Sequence, residues 1–356
     1  MKRFLAASGV VLVTAPALLA LSVPAAGLPR GTKVQTFQRV PYFPVDMAWV
    51  PGSRTIFFTE KNTGKIRIIR RGRLLGAACV DLEVDSQGER GALGLTLHPD
   101  YEDNHRLYVY YTKASPLENR VERFTVRDNR CRDRRVIVRG IDASSSGYHN
   151  GGQLEFVGRK LFVTTGESHD PARAQDPDNR SGKVLRFRAD GSIPKSNPFN
   201  RPGDRNPVWT LGHRNPFGLA QRPGTRRLYE TENGPDCDDE LNRIRKGRNY
   251  GWGPGYRCGT VGVGRNPKRP LRRWTPPIVP TDPWWYRGRM RRLSGDLYMG
   301  DFRDGRLHRF ELNGKGSRVV RHSVVTTAGA IVDVSKGPGR WLYFMTPSAI
   351  LRIVPR

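Results

Sequence analysis

The chain has few cysteines, few acidic residues and no long amphipathic helical segments. Its four cysteines include no CxxC pair and no Cys/His cluster at zinc-site spacing. Gly (39) and Pro (27) are abundant in the 356 residues, and apolar residues do not recur at helical spacing, so short strands and turns are favoured. The 61 basic residues outnumber the 33 acidic ones, for a net charge of +28, which predicts adhesion to polyanions. Because the basic residues are spread over every segment, no specific nucleic-acid site is expected.

Residues 1–26 have the pattern of a secretory signal peptide. Lys2 and Arg3 precede an apolar run, and Val23-Pro24-Ala25-Ala26 offers small residues for cleavage. An uncleaved anchor is the alternative, although the run is marginal in length for a membrane span. We therefore expect a secreted or cell-envelope protein whose folded part is residues 27–356.

Export would permit disulfides, and four cysteines suit two bridges. The sequence leaves three pairings open. The shortest plausible loops are closed by Cys79–Cys131 and Cys237–Cys258.

An apolar-aromatic strand recurs six times along the chain and is followed each time by a shorter strand. Five of the shorter strands read apolar-x-Arg-apolar, and most copies are preceded by another short apolar strand. The recurring strands are TIFFTE (55–60), LYVYYT (107–112), LFVTTG (161–166), LYETEN (228–233), LYMGDF (297–302) and LYFMTP (342–347).

Repeated strand triplets predict an all-β, six-bladed β-propeller, because one blade cannot bury both of its faces alone. The early strand Val34–Val40 is expected to join the last blade and close the ring. A pair of β-sandwiches is the alternative, but it would not explain six copies of one unit.

Polar residues precede the first strands of blades two, three and four. They are Glu89, His149 and the pair Arg214-Asn215. In a propeller such positions converge on one mouth of the central channel, which predicts a single pocket. The stretch 211–253, rich in cations, turns and carboxylates, could hold a ligand or metal there. The alternative is a solvated loop with a surface salt bridge.

Four segments resemble one known family. They are GERGALGLTLHPDY (88–101), GYHNGGQLEF (147–156), SGKVLRFRADGSIPKSNPF (181–199) and residues 211–253. Together they are similar to the soluble quinoprotein sugar dehydrogenases of the glucose/sorbosone dehydrogenase family. The resemblance implies an exported enzyme on a six-bladed propeller, using pyrroloquinoline quinone (PQQ) and calcium. It would oxidise aldoses to lactones by hydride transfer to the quinone, and pass the electrons to an unknown acceptor.

His149 lies in a turn before Gly151-Gly152, where glycine lets a flat ligand approach the backbone, and a histidine suits proton transfer near neutral pH. The resemblance implies that His149 is the general base and that Arg214 and Asn215 bind the quinone, with Arg214 also stabilising developing charge. The alternative for His149 is a structural role, capping backbone groups of the turn.

The resemblance also implies two calcium sites. The backbone carbonyls at Gly234 and Pro235 would hold a catalytic ion, and Glu240 with the Tyr250 carbonyl would hold a structural one.

The loop beside this corner carries two more acids, Asp238 and Asp239, which either support the structural ion or are simply solvated. Because Cys237 and Cys258 bracket the corner in an exported chain, we predict that they are bridged.

The chain departs from the family pattern at the quinone pocket. Glu89, which the resemblance implies contacts the cofactor, stands where the family has Gln, and Ala330 and Val332 stand where two arginines grip quinone carboxylates. Arg303 replaces a lysine and is expected to bind the cofactor. These departures keep two other classes open. One is a propeller that has lost PQQ and serves as a glycan- or protein-binding module, and the other is an electrostatic binder of acidic polymers.

Overall fold

A computed structural model describes residues 27–356, and the predicted signal peptide, residues 1–26, lies outside them. The described part is nearly all β and forms six antiparallel sheets, which are the blades of a propeller. The predicted fold class, an all-β six-bladed β-propeller, is therefore confirmed.

Strands are numbered along the chain, and each blade is given from the channel outward. Blade one has β2 (Pro44–Trp49), β3 (Thr55–Glu60), β4 (Lys65–Arg70) and the short β5 (Arg73–Leu74) and β6 (Val80–Asp81). Blade two has β7 (Ala92–Leu97), β8 (Arg106–Lys113), β9 (Glu118–Arg127) and β10 (Arg130–Ile141). Blade three has β11 (Gly151–Val157), β12 (Lys160–Thr165), β13 (Lys183–Arg188) and β14 (Val208–Leu211).

The other three blades follow the same order. Blade four has β15 (Pro216–Gln221), β16 (Leu228–Glu232), β17 (Asp239–Ile244) and β18 (Arg272–Trp274). Blade five has β19 (Pro280–Trp285), β20 (Leu297–Asp301), β21 (Arg306–Leu312) and β22 (Val319–Thr327). Blade six has β23 (Asp333–Lys336), β24 (Leu342–Thr346), β25 (Ala349–Pro355) and β1 (Thr32–Arg39).

The ring is closed by the N-terminal strand. β1 pairs antiparallel with β25, from Thr32 opposite Pro355 to Arg39 opposite Ala349. The expectation placed on Val34–Val40 is thus confirmed. The innermost strands β2, β7, β11, β15, β19 and β23 each contact the next one around the channel.

Each gap between neighbouring blades contains one cluster of buried apolar side chains. Between blades one and two, for example, Phe57 and Ile68 pack with Leu95 and Leu107. The second strand of a blade is covered on both faces, which explains why these strands read as continuous apolar runs instead of alternating ones.

Blade five differs from the sequence expectation. Its inner strand, β19, contains Pro280 and Pro283 and was not among the strands that the apolar pattern revealed. Proline is tolerated there because β19 is the edge of its own sheet and faces the channel. In blade six the inner strand begins at Asp333.

Helical elements are short: α1 (Tyr101–Asn104), α2 (Pro171–Gln175) and a 3-10 turn (Pro338–Arg340). Among residues 27–356, no helix has the length and apolar character needed to cross a membrane. Two disulfides are formed, Cys79–Cys131 and Cys237–Cys258, so the predicted second bridge is confirmed.

Three buried carboxyl groups meet inside the channel. Asp46, Asp282 and Asp333 come from three inner strands and bring oxygen atoms within 4.8 Å of one another. Each also accepts a backbone N–H from a neighbouring blade. Burial raises the pKa of Asp46 to about 7. Burial and the neighbouring carboxylates raise the pKa values of Asp282 and Asp333 well above the usual range.

We predict that this cluster makes the propeller less stable as the pH rises. The folded chain keeps protons that the unfolded chain releases near pH 3.8, so the free energy of unfolding decreases as the pH rises from there to about 7 and beyond. Asp282→Asn removes one titrating group and should reduce the fall in melting temperature between pH 5 and pH 8. Asp103→Asn, at an exposed acid, should retain the wild-type slope. Equal slopes in wild type and Asp282→Asn would contradict the prediction.

Candidate active site

The N-terminal ends of the inner strands surround a cavity of about 440 Å³ at one mouth of the channel. A larger cavity, about 550 Å³, opens at the opposite mouth, but none of the predicted site residues lines it. Six of those predicted residues line the smaller cavity: Glu89, His149, Arg214, Asn215, Gly234 and Pro235. The other three, Glu240, Tyr250 and Arg303, are not part of its wall.

Glu89 links the polar ends of blades two, three and four. Its Oε2 accepts the backbone N–H of His149 at 2.8 Å and the Nδ2–H of Asn215 at 3.0 Å. The Asn215 Oδ1 in turn accepts the backbone N–H of Gly151 at 3.1 Å. The predicted convergence of these segments on one pocket is therefore present in the structure.

The turn that carries His149 is held by close backbone packing. His149 has φ of 58°, an uncommon conformation for a residue other than glycine. A Cβ on Gly166 would lie only 2.0 Å from the carbonyl oxygen of His149, so only glycine fits at position 166. The residues after Gly166 hydrogen-bond back to both sides of the site, Glu167 N–H to the Arg214 carbonyl and Ser168 N–H to the His149 carbonyl.

The His149 ring is paired with a buried carboxylate. Its Nδ1 lies 2.6 Å from Oε1 of Glu167, whose side chain is 1% exposed. A carboxylate accepts, so Nδ1 carries the hydrogen and Nε2 is left as the proton acceptor on the cavity side. The His169 ring packs edge-on against His149 with centroids 4.7 Å apart, and it further limits rotation of the imidazole.

Arg214 reaches across the cavity wall to the turn at Gly234. Its Nη1 donates to the carbonyls of Asn233 at 3.0 Å and Gly234 at 2.7 Å, while its backbone N–H donates to Glu232. The guanidinium also lies over the Trp252 ring at 5.4 Å. Burial lowers the pKa of Arg214, and nearby carboxylates oppose that shift. The two carbonyls thus already converge on a cationic group.

The acids after the turn are buried, which excludes the solvated alternative. Asp239 accepts the backbone N–H groups of Gly234, Ile278 and Val279 at 2.7–2.8 Å. Asp238 accepts the Tyr256 hydroxyl at 2.8 Å among other donors. Both therefore fix the backbone of the turn and its surroundings.

Glu240 and Tyr250 lie in the gap between blades three and four, away from the cavity wall. The Glu240 carboxylate accepts from Asn242 at 3.1 Å and from Arg273 at 3.3 Å. The Tyr250 hydroxyl donates to the Arg243 carbonyl at 2.6 Å.

A group of buried carboxylates surrounds Glu240. Glu230 is fully buried, and among the described residues neither of its oxygens has a hydrogen-bond partner; the same holds for Oδ1 of Asn242. Glu232 lies beside them and contacts Nδ1 of His213 at 2.9 Å. Burial and the Glu232 charge raise the pKa of Glu230 and, to about 8, that of Glu240. Orphaned, buried oxygens of this kind fit a divalent cation such as calcium.

One part of the cavity wall is apolar. Val332 faces it together with Phe43, Val45, Val279 and Phe302. Arg303, predicted to bind cofactor, is exposed, and its Nη1 donates to the Pro277 carbonyl at the rim at 2.9 Å. The structure therefore leaves Arg303 outside the cavity in this conformation.

Two residues of the site were not predicted from the sequence. Glu167 follows the strand LFVTTG directly, in Gly166-Glu167-Ser168, and could have been found as an acid at a strand end on the His149 side. Lys61 also lines the cavity, from the equivalent position after TIFFTE in blade one.

The propeller and the cavity at its channel mouth define a class of small-ligand-binding propellers. Residues 42–353 match the model of the Glucose / Sorbosone dehydrogenase family, and the chain belongs to that family. The resemblance inferred from the motifs is confirmed.

Similar proteins span nearly the whole chain. The aldose sugar dehydrogenase YliI of Escherichia coli is 28% identical over 370 residues, covering 95% of this chain and 97% of that protein. The apo crystal structure of the soluble E. coli aldose sugar dehydrogenase superposes with a TM-score of 0.82 at 27% identity, over 91% of this chain and 100% of that one. The PQQ-bound aldose sugar dehydrogenase of Streptomyces coelicolor gives a TM-score of 0.76 at 28% identity, over 92% and 99% of the two chains.

Proposed function

We propose that the protein is an exported, PQQ- and calcium-dependent dehydrogenase that oxidises aldose sugars to lactones. The observation that carries the proposal is His149, which lies on the wall of a cavity shared with Arg214 and Asn215 and has its Nδ1 2.6 Å from the buried Glu167 carboxylate. The membership of the family and the PQQ-bound relative support the choice of cofactor.

The cavity fits a flat quinone in size and in chemistry. It is about 440 Å³, within the range of small-ligand sites, and it combines apolar walls with a few polar groups. Arg214 and Asn215 would hold the quinone, and PQQ supplies, when bound, the two-electron acceptor for the hydride of the sugar C1. Among the Arg214 side-chain nitrogens, only Nη1 donates hydrogen bonds within residues 27–356, so Nη2 retains donor capacity.

His149 moves the proton in this scheme. Nε2 accepts the proton of the C1 hydroxyl as the hydride leaves the same carbon, so the sugar loses two electrons and two hydrogens and becomes a lactone. Glu167 holds the imidazole in the tautomer with a free Nε2 and stabilises the imidazolium that forms. Backbone contacts from residues 166–168 keep this pair aligned with Arg214.

The carbonyls of Gly234 and Pro235 are proposed to bind the catalytic calcium, which would supply Lewis-acid polarisation of the quinone carbonyl. The Gly234 carbonyl accepts Nη1 of Arg214 at 2.7 Å and has a second lone pair for a metal. Asp239, which accepts the Gly234 N–H at 2.8 Å, would orient this turn.

Glu240 and the Tyr250 carbonyl are proposed to hold the structural calcium, with the Glu230 oxygens, which have no partner within residues 27–356, as added support. An ion bound only to the folded chain stabilises it by about 2.7 kcal/mol at a hundredfold excess over its Kd. Chelation should therefore lower the melting temperature by several degrees, and Glu240→Ala and Glu230→Ala should each blunt the response.

Glu155→Gln is the matched control for that prediction, because Glu155 is a carboxyl with a pKa raised by burial, to about 8, in a different part of the propeller. It should leave the chelation response unchanged. A wild-type melting temperature that is the same before and after chelation would contradict the calcium assignment.

The proposed activity is tested by titrating purified apo-protein with PQQ and calcium, then adding aldoses with an artificial electron acceptor. Quinone absorbance should shift on binding, and acceptor reduction should follow. Binding without oxidation of any aldose tested would leave a PQQ protein with another substrate class.

One observation favours a second candidate, a propeller that has lost PQQ and binds glycans or proteins. Val332 and Ala330 carry no charge, and Val332 forms part of an apolar wall. In that case PQQ would not bind at all.

The two disulfides support export, and the net charge of +28 supports adhesion to polyanions, whichever of the two functions the protein has. The electron acceptor would be a separate molecule.

A further inference from the structure

Lys61 and Arg214 are the cationic side chains in the cavity wall, among the residues that the structure describes. The wall also contains Glu89 and Asp239, so it offers no excess of positive charge by itself. A quinone polycarboxylate placed there needs cationic partners. Nη1 of Arg214 already donates to the Asn233 and Gly234 carbonyls. Lys61 is therefore the second cation that the wall offers to the cofactor.

The backbone around Lys61 is built to hold it at the cavity. Its N–H donates to the Phe43 carbonyl at 3.0 Å, and its carbonyl accepts the Ala92 N–H at 3.0 Å. A Cβ on Gly91 would meet the Lys61 carbonyl at 2.2 Å and its Cγ at 2.9 Å, so glycine at this position makes room for the side chain. Lys61 thus has a defined position, unlike an exposed lysine on a loop.

The ammonium group retains capacity for a ligand. Nζ donates to the Ser86 carbonyl at 3.1 Å and to Oδ1 of Asn62 at 3.0 Å, and an ammonium has one more N–H. Burial lowers the pKa of Lys61, whereas Glu89 and Asp85 raise it. The Glu89 carboxylate already accepts hydrogen bonds from His149 and Asn215. A ligand carboxylate would therefore be an additional anionic partner that stabilises the charged form of Lys61.

We propose that Lys61 binds a carboxylate of the quinone cofactor, in a wall where Val332 supplies no charge and Arg303 is turned to the rim. This inference rests on the proposed function.

The test is a titration of apo-protein with PQQ in the presence of calcium. Binding is monitored by the quenching of protein fluorescence and by quinone absorbance. Lys61→Met and Lys61→Gln should each raise the Kd for PQQ by about 10- to 100-fold, the loss expected for one charge-assisted hydrogen bond. Lys61→Arg, which keeps the charge, should remain within a few-fold of wild type. Lys33→Met, at an exposed lysine on β1, is the control for net charge and should bind as wild type does.

Melting temperatures of all variants establish that they are folded. Equal PQQ affinity in wild type, Lys61→Met and Lys61→Gln would overturn the role of Lys61 while leaving the proposed function intact. Failure of wild-type protein to bind PQQ would overturn the proposed function and this inference together.

Discussion

Replacing His149 by alanine is expected to lower aldose oxidation by about 10²- to 10⁴-fold, the usual contribution of a general base. The structure gives the reason, since Nδ1 is committed to Glu167 at 2.6 Å and Nε2 is the acceptor on the cavity side. PQQ affinity should stay within a few-fold of wild type, because the Arg214 and Asn215 side chains are unchanged. Steady-state rates with an artificial acceptor and PQQ titration measure the two effects separately.

The control is His105→Asn, at an exposed histidine after α1 whose left-handed backbone, φ 52°, asparagine tolerates. It should retain wild-type rates. If His149→Ala oxidises aldoses at the wild-type rate, the propeller and its cofactor site stand, but the base is another residue.

Arg214→Ala is expected to damage binding and turnover together. The guanidinium bridges the Asn233 and Gly234 carbonyls, so its loss removes a cation from the cavity and frees the turn proposed to bind calcium. We expect a 10- to 100-fold weaker PQQ affinity and a 10²- to 10³-fold lower turnover at saturating PQQ.

Arg214→Lys separates charge from geometry, because lysine keeps the charge but lacks the planar fork. It should recover part of the affinity and little of the turnover. Arg188→Ala, at an exposed arginine of β13, should match wild type in both measurements. Unchanged PQQ affinity in Arg214→Ala would remove Arg214 from the cofactor site.

The fold could be predicted from the sequence because each blade repeats the same physical requirement. Strands such as TIFFTE and LYVYYT are covered on both faces by neighbouring blades, so they are apolar throughout and easy to recognise. The inner strand of blade five could not be recognised, because it contains Pro280, Asp282 and Pro283 and has no apolar pattern. These residues are tolerated because the strand is the channel-facing edge of its sheet.

The site could be predicted in part. Glu89, His149 and Asn215 precede inner strands, and propeller geometry alone brings such positions together. The direction of a side chain is not determined by that geometry. Arg303 has the charge expected of a cofactor ligand, yet its side chain lies at the exposed rim against the Pro277 carbonyl.

Asp238 and Asp239 show a similar limit. In the sequence they are adjacent acids on a loop, equally compatible with solvent or a metal. In the structure both are buried and accept hydrogen bonds from backbone or hydroxyl donors. Such partners lie as far away as Val279, and local sequence does not name them.

By itself the sequence determined the number of blades, the closing strand and the segments that form the channel mouth. It also supplied the four cysteines that form the two disulfides. These features could be read because repeats, apolar patterns and spacings are local properties of a chain. Only the tertiary structure decided that Glu167 orients His149, that Lys61 joins the cavity from blade one, and that Glu230 is buried with no hydrogen-bond partner among residues 27–356. These relations join residues of different strands, loops or blades. They depend on how blades pack around the channel and on burial, and burial sets the strength of each charge and hydrogen bond.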